Sequence, residues 1–171
     1  MANTTGKKIK DVAIIGGCAS LIYLTIGDIS YRLSLSRGGL NSKLITDMVA
    51  KSAAKKPKNE YKEKLDSMID DGADWFMHQD TEKIIIEKKH RQSLYADLIR
   101  PDKPSNVYII CIHGYTSSPA NMGIYAKKYH ELGYNVLLPS LRGHGDSEQD
   151  FITMGWNDRL DVIEWINYIA E

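Results

Sequence analysis

The chain predicts an α/β fold: an antiparallel hairpin followed by parallel strands with flanking helices, preceded by a hydrophobic helix and a helical linker. Three observations predict it. Residues 107–112, Val-Tyr-Ile-Ile-Cys-Ile, are almost unbroken apolar, as suits a strand covered on both faces. That run breaks into His113-Gly114 and then Ser118-Pro119, a helix start with proline in the first turn. A second apolar strand and a second helix then repeat the order.

Bulk composition narrows the function classes. The 171 residues hold 22 Lys and Arg against 22 Asp and Glu, so the net charge is zero and gives no electrostatic case for nucleic acid. A hydrophobic content of 43% is that of an ordinary globular chain. Cys18 and Cys111 lie far apart in apolar runs and read as buried, inert thiols. Neither has metal-ligand spacing, the five histidines show none either, and no cofactor is expected. No Gly-x-Gly-x-x-Gly follows residues 107–112, and no Gly-Lys-Ser/Thr occurs, so nucleotide binding has no motif.

Read in order, the chain divides into residues 1–37, 38–74 and 75–171. Lys7, Lys8 and Lys10 precede residues 12–27, which carry no charge and end at Asp28. This pattern favours an uncleaved membrane anchor over a processed signal or a buried helix, although sixteen residues fall short of the usual ~17–25. The expected partner there is the membrane, with the remaining chain on the extracytoplasmic side of a bacterial cell membrane. Ile15-Gly-Gly-Cys18 is preceded by too few apolar residues for a lipoprotein signal. In the linker, Leu40, Leu44, Ile45, Met48 and Val49 recur at helical spacing, with Asn41 or Ser42 as cap and Pro57 as a break. Tyr61, Leu65, Met68 and Ile69 predict a second amphipathic helix ending at Asp70-Asp-Gly72. A hairpin packed against the domain is favoured over a membrane-surface helix.

From Trp75 the pattern is strand-like. Residues 83–88 and 94–100 flank His90-Arg-Gln-Ser93 as a hairpin, and residues 101–106 form a loop. Residues 119–132 read as a helix capped by Gly133, and residues 134–138 as a strand. Residues 139–150 read as a loop, and residues 156–170 as a helix burying Leu160, Ile163 and Ile166.

Two motifs carry chemistry. The turn His113-Gly114-Tyr115 aims backbone N–H groups into a small volume that favours an anion or a developing oxyanion. The loop Arg142-Gly143-His144-Gly145-Asp146-Ser147 has glycines that permit unusual angles around His144, and Arg142 is placed to pair with Asp146. Taken alone, His144 reads as a structural surface histidine.

Together and in this order, the two motifs resemble the α/β-hydrolase superfamily, most closely membrane-anchored bacterial serine hydrolases related to esterases and serine aminopeptidases. The resemblance covers about residues 75–171 and implies the N-terminal half of that sheet. It implies that Tyr115 gives a backbone N–H to the oxyanion hole, with His113, Gly114 and residues 142–147 as supporting loops. It also implies acyl transfer to water on an ester or amide of a small molecule or peptide. The superfamily's Gly-x-Ser-x-Gly elbow is missing, and Ser117, Ser118 and Ser147 do not replace it. His144 and Asp146 lack the positions of the base and the acid. The chain is therefore expected to be truncated before its nucleophile and inactive alone, with residues 107–112 as an open, aggregation-prone edge. The rival is a non-catalytic, membrane-tethered interaction module on a hydrolase-derived fold.

Overall fold

The computed structural model describes residues 3–40, 43–54, 59–90 and 92–171. The expected cap at Asn41 or Ser42 and the break at Pro57 lie outside the described residues. So do the side chains of Cys18, Leu40, Leu44, Ile45 and Val49.

Four helices come first: α1 (Asn3–Leu35), α2 (Arg37–Leu40), α3 (Lys43–Ala54) and α4 (Glu60–Met77). The hairpin β1 (Glu82–Ile86) and β2 (Leu94–Ile99) follows, then β3 (Tyr108–Ile110). A 3-10 turn (Pro119–Met122) leads into α5 (Gly123–Glu131), β4 (Asn135–Ser140) and α6 (Asp158–Ala170).

The strands form one mixed sheet in the order β1-β2-β4-β3. β1 runs antiparallel to β2 from Glu82↔Leu98 to Ile86↔Leu94. β2 runs antiparallel to β4 from Tyr95↔Ser140 to Ile99↔Val136. β3 lies parallel to β4, with Ile109 opposite Val136. Period-two alternation then sorts side chains to two faces. Ile99, Cys111, Val136 and Leu138 meet Phe76 of α4 and Ala126 of α5 on one face. Leu94, Ala96, Leu98 and Leu137 meet Trp165 of α6 on the other. The result is a sheet between two helical layers. β3 is an edge, as expected, and pairs only with β4 among the described residues.

Several expectations are corrected. Among the described residues no helix is long and apolar enough to cross a membrane. The charge-free residues 12–27 span only ~24 Å as a helix, against a hydrocarbon core of ~30 Å, and are diluted by Gly16, Gly17, Ser20, Thr25 and Gly27. This overturns the membrane anchor, the membrane as partner, and the extracytoplasmic location that rested on it.

Gly72 does not end its helix, because α4 continues to Met77. It instead allows a close crossing: a Cβ at Gly72 would lie 2.3 Å from the Ile124 nitrogen, and one at Gly123 would lie 2.0 Å from the Gly72 oxygen. α4 buries Gly72 and Phe76, while Tyr61 stays 76% exposed. Pro139 belongs to β4 rather than to the loop. Leu137 directs its carbonyl to Cys111 of the β3 side, so Pro139, two residues on, directs its absent N–H to the same side, beyond the end of β3. Along α6, Leu160, Ile163 and Ile166 are about half exposed, whereas Asp158, Asp161 and Trp165 are buried.

Candidate functional site

The parallel strands β3 and β4 deliver the two motifs side by side, as adjacent parallel strands do for the loops at their C-terminal ends. In the turn after β3, the residue in the left-handed region is Thr116, at φ 58°, not Gly114. A β-branched residue held there carries strain of about 1–3 kcal/mol. The Ser117 N–H returns to the Gly114 carbonyl at 3.2 Å, and the Thr116 N–H is given to His144 Nε2 at 3.2 Å. No described residue accepts the Tyr115 N–H. Ser118 precedes the next helical turn in extended conformation, but its hydroxyl makes no capping bond.

The loop after β4 is tied down at nearly every residue. Arg142 does not pair with Asp146 as expected. Its guanidinium makes two bonds to Asp161 of α6, at 2.6 and 2.8 Å, with both side chains largely buried. Hydrogen bonds to Asp161 raise its pKa more than its partial burial lowers it. Asp146 pairs instead with Lys83 of β1 at 2.8 Å, and Lys83 also holds the buried Asp97 at 2.9 Å. Partial burial lowers the Lys83 pKa, but bonds and charge from Asp146 and Asp97 outweigh it and the net shift is upward. Asp158 accepts from the Arg142 N–H at 3.2 Å, the Thr153 hydroxyl at 2.6 Å and the Gly155 N–H at 2.8 Å.

Gly143 has φ 74°, and a Cβ there would lie 2.8 Å from Ile152 Cγ1, so the position demands glycine on both counts. Ser147 is buried: its hydroxyl accepts from the Gly143 N–H at 3.3 Å and donates to Gln149.

His144 is buried rather than on the surface, at 8% exposure, and His113 is at 2%. Their rings meet edge to face with centroids 5.0 Å apart. Each ring has both nitrogens engaged by backbone groups, so neither is left to activate a serine. Burial, reinforced by His144, lowers the His113 pKa against the opposing pull of Gly114 and Asp158. Cys111, just before the turn, is buried and its thiol is pushed up to about 11, which keeps it protonated and inert.

Between the turn, the loop and α6 lies a cleft of about 450 Å3, lined by Ile112, Tyr115, Ile152, Met154 and Val162 among others. Its walls are chiefly apolar, and the unused Tyr115 N–H belongs to one of them. Among the described residues no cluster could hold a metal ion.

One contributor to the site has no motif in the sequence. The end of α1 docks on this site: Tyr31 stacks on Phe151 with ring centroids 5.5 Å apart, and Ser36 bridges to Phe151 in antiparallel fashion. The Arg37 N–H binds the Asp150 carbonyl at 2.9 Å, and the Ile152 N–H binds the Leu35 carbonyl at 2.8 Å. The Tyr115 hydroxyl donates to the Ser34 carbonyl at 2.6 Å. The alternating Ile29, Tyr31, Leu33 and Leu35 extend the apolar run beyond Asp28, and this was the signal available.

A comparison with known proteins adds to this geometry. The chain is similar to a thermostable monoacylglycerol lipase of Bacillus sp. (strain H-257), with 34% identity over 65 residues. The match covers 38% of this chain, and the chain spans about a quarter (24%) of the length of that curated relative. It supports a general relationship to the hydrolase superfamily. No family model matches the chain, and no solved structure matches it.

Proposed function

We propose that this chain carries the oxyanion-hole half of a serine hydrolase of the α/β-hydrolase type, with residues 75–171 as the partial domain. The nucleophile, base and acid would come from sequence that this chain does not contain. The observation that carries the reading is the unaccepted Tyr115 N–H beside an apolar cleft at the C-terminal end of a parallel strand. Strand order β1-β2-β4-β3, with an antiparallel first pair, and the similarity to a lipase support it.

The reaction would be acyl transfer to water through a serine acyl-enzyme on an ester or amide, and the relative's name makes an ester the first choice. In the tetrahedral adduct the carbonyl oxygen gains negative charge, and a fixed N–H in an apolar cleft stabilises it without reorganising. By this reading Tyr115 supplies one donor, His113 and Gly114 shape the turn, and residues 142–147 buttress it. The chain alone should neither hydrolyse an ester nor react with a fluorophosphonate.

The test is a chimera in which this chain is followed by the C-terminal portion of the Bacillus lipase. Esterase activity that falls about 100- to 1000-fold on Tyr115→Pro, which deletes the N–H, supports the reading. Folded chimeras whose activity ignores that change would sink it.

A second reading rests on a separate observation. β3 is an open edge, and the adjoining Val107 and Ile112 are 45% and 41% exposed. A non-catalytic module could add a partner strand there. Retention of an extended peptide by the full chain, lost on Ile110→Pro, would favour that reading.

A further inference from the structure

His113 and His144 have both ring nitrogens engaged, yet the proposed reaction uses neither as a base. His113 sits in the turn after β3 and accepts the N–H of Leu141, the first residue beyond β4, at 3.2 Å. His144 sits in the loop after β4 and accepts the N–H of Thr116, back in the β3 turn, at 3.2 Å. Each Nδ1 donates to a carbonyl of its own segment, His113 to Gly114 at 2.9 Å and His144 to Arg142 at 3.0 Å. The two rings thus exchange acceptors across the gap between adjacent strands. Only the neutral form with its proton on Nδ1 satisfies all four bonds, because a protonated Nε2 would face an N–H.

A third segment braces this arrangement. One terminal nitrogen of Arg37, just past α1, donates to the carbonyls of His144, at 3.2 Å, and Ser147. These carbonyls flank Gly145 and Asp146. Of the turn's N–H groups, Thr116 is therefore taken by His144 and Ser117 by Gly114, while Gly114 and Tyr115 are left.

We infer that His113 and His144 are positioning residues forming a reciprocal clasp that removes the Thr116 N–H from the open donors and leaves that of Tyr115 among them, with Arg37 holding the loop side. The donor-selecting role rests on the oxyanion reading above; the clasp rests on hydrogen-bond geometry alone. Protonating either ring turns an acceptor into a donor and opens the clasp. The charged groups around the pair are Asp158 of α6, bonded to the Arg142 N–H, Arg142 itself, held by Asp161, Arg37, and Arg159 on the cleft wall. Of these, Asp158 opposes the loss of a proton from His113.

Nuclear magnetic resonance on the full chain, labelled with 15N at histidine and at backbone amides, tests the clasp. At pH 7.5 both rings should show a protonated Nδ1 and a bare Nε2. The Thr116 and Leu141 amides should exchange slowly, and on acidification they should lose protection at least tenfold before the Cys111 amide, which is bonded to Leu137 in the sheet. His144→Phe should speed Thr116 exchange tenfold or more while Cys111 stays protected. Arg37→Gln should speed it less, and Arg37→Lys should restore it. A protonated Nε2 on either ring of the native chain overturns the inference, and that measurement needs no variant to fold. Unchanged Thr116 exchange in folded His144→Phe, or simultaneous loss at Thr116, Leu141 and Cys111, also overturns it. A chimera indifferent to Tyr115→Pro would remove the oxyanion reading while leaving the tautomer result standing.

Discussion

Along α6, the residues facing the protein and those facing away both include large apolar side chains, but only the inner side carries buried carboxylates. The inner side holds Asp158 and Asp161 with Trp165, and Ile169 packs against the core cluster that contains Trp165. The outer side presents Trp156, just before the helix, then Leu160, Ile163 and Ile166, at 72%, 50%, 53% and 51% exposure. An apolar stripe normally decides which way a helix faces. Here Trp165 and Ile169, together with the Asp161–Arg142 pair and the bonds to Asp158, turn the inner side to the sheet, and the stripe of Leu160, Ile163 and Ile166 is left pointing outward. The difference teaches that α6 is held on its inner side both by Trp165 and by the Arg142 loop, while its outer apolar residues stay half exposed among the described residues.

The sharpest way to break the contrast is to cut the inner side. Asp161→Ala leaves the Arg142 guanidinium buried without its partner, at an expected cost of about 3–5 kcal/mol. Denaturant unfolding should show it, and a loss below 1 kcal/mol would mean the ion pair does not orient the helix. Next comes the loop that the ion pair holds. Gly143→Ala combines an unfavourable φ with a clash against Ile152, and about 2–4 kcal/mol should be lost in the same assay.

A smaller effect is expected from pH. His113 has a folded pKa below its unfolded value of ~6.5, so the unfolded chain binds more protons between the two values. Its contribution is intact above the unfolded value and is lost as pH falls through the folded one. Thermal midpoints measured from pH 8 down to 5 should decline below ~6.5, and His113→Asn should flatten that portion of the curve. The smallest change should come from the outer side. Leu160→Gln, Ile163→Glu and Ile166→Gln should each move stability by no more than about 0.5 kcal/mol in denaturant unfolding. A large stability loss there would show the stripe to be packed after all.

How far the sequence could be read differs in the same way. The hairpin, the parallel β3, the Gly133 cap and the order of elements were all legible, because each depends on local periodicity or on one residue with a fixed conformational preference. Gly133 has the expected left-handed angle, at φ 80°. The facing of α6 was not legible: Leu160, Ile163 and Ile166 give a clean helical stripe, and nothing local says that Asp161 finds Arg142 nineteen positions away. Gly72 misled for a related reason. Its role is set by Gly123 across a helix crossing, not by its own neighbours. At the site, the sequence located the turn and the loop, but not their connection. Their histidines looked independent, and the contribution of residues 31–37 was hidden inside a segment whose composition pointed to a membrane.

That connection also bears on how the molecule is made. The bonds from Arg37 to His144 and Ser147 close loops spanning 107 and 110 positions. By contrast, β1 and β2 pair across a short turn and α5 links adjacent strands. Closing a long loop costs more chain entropy and is slower than pairing neighbours. During synthesis, α1 leaves the ribosome more than a hundred residues ahead of the loop it braces. Contact separation alone therefore favours assembly of the sheet before the N-terminal helix docks on the site.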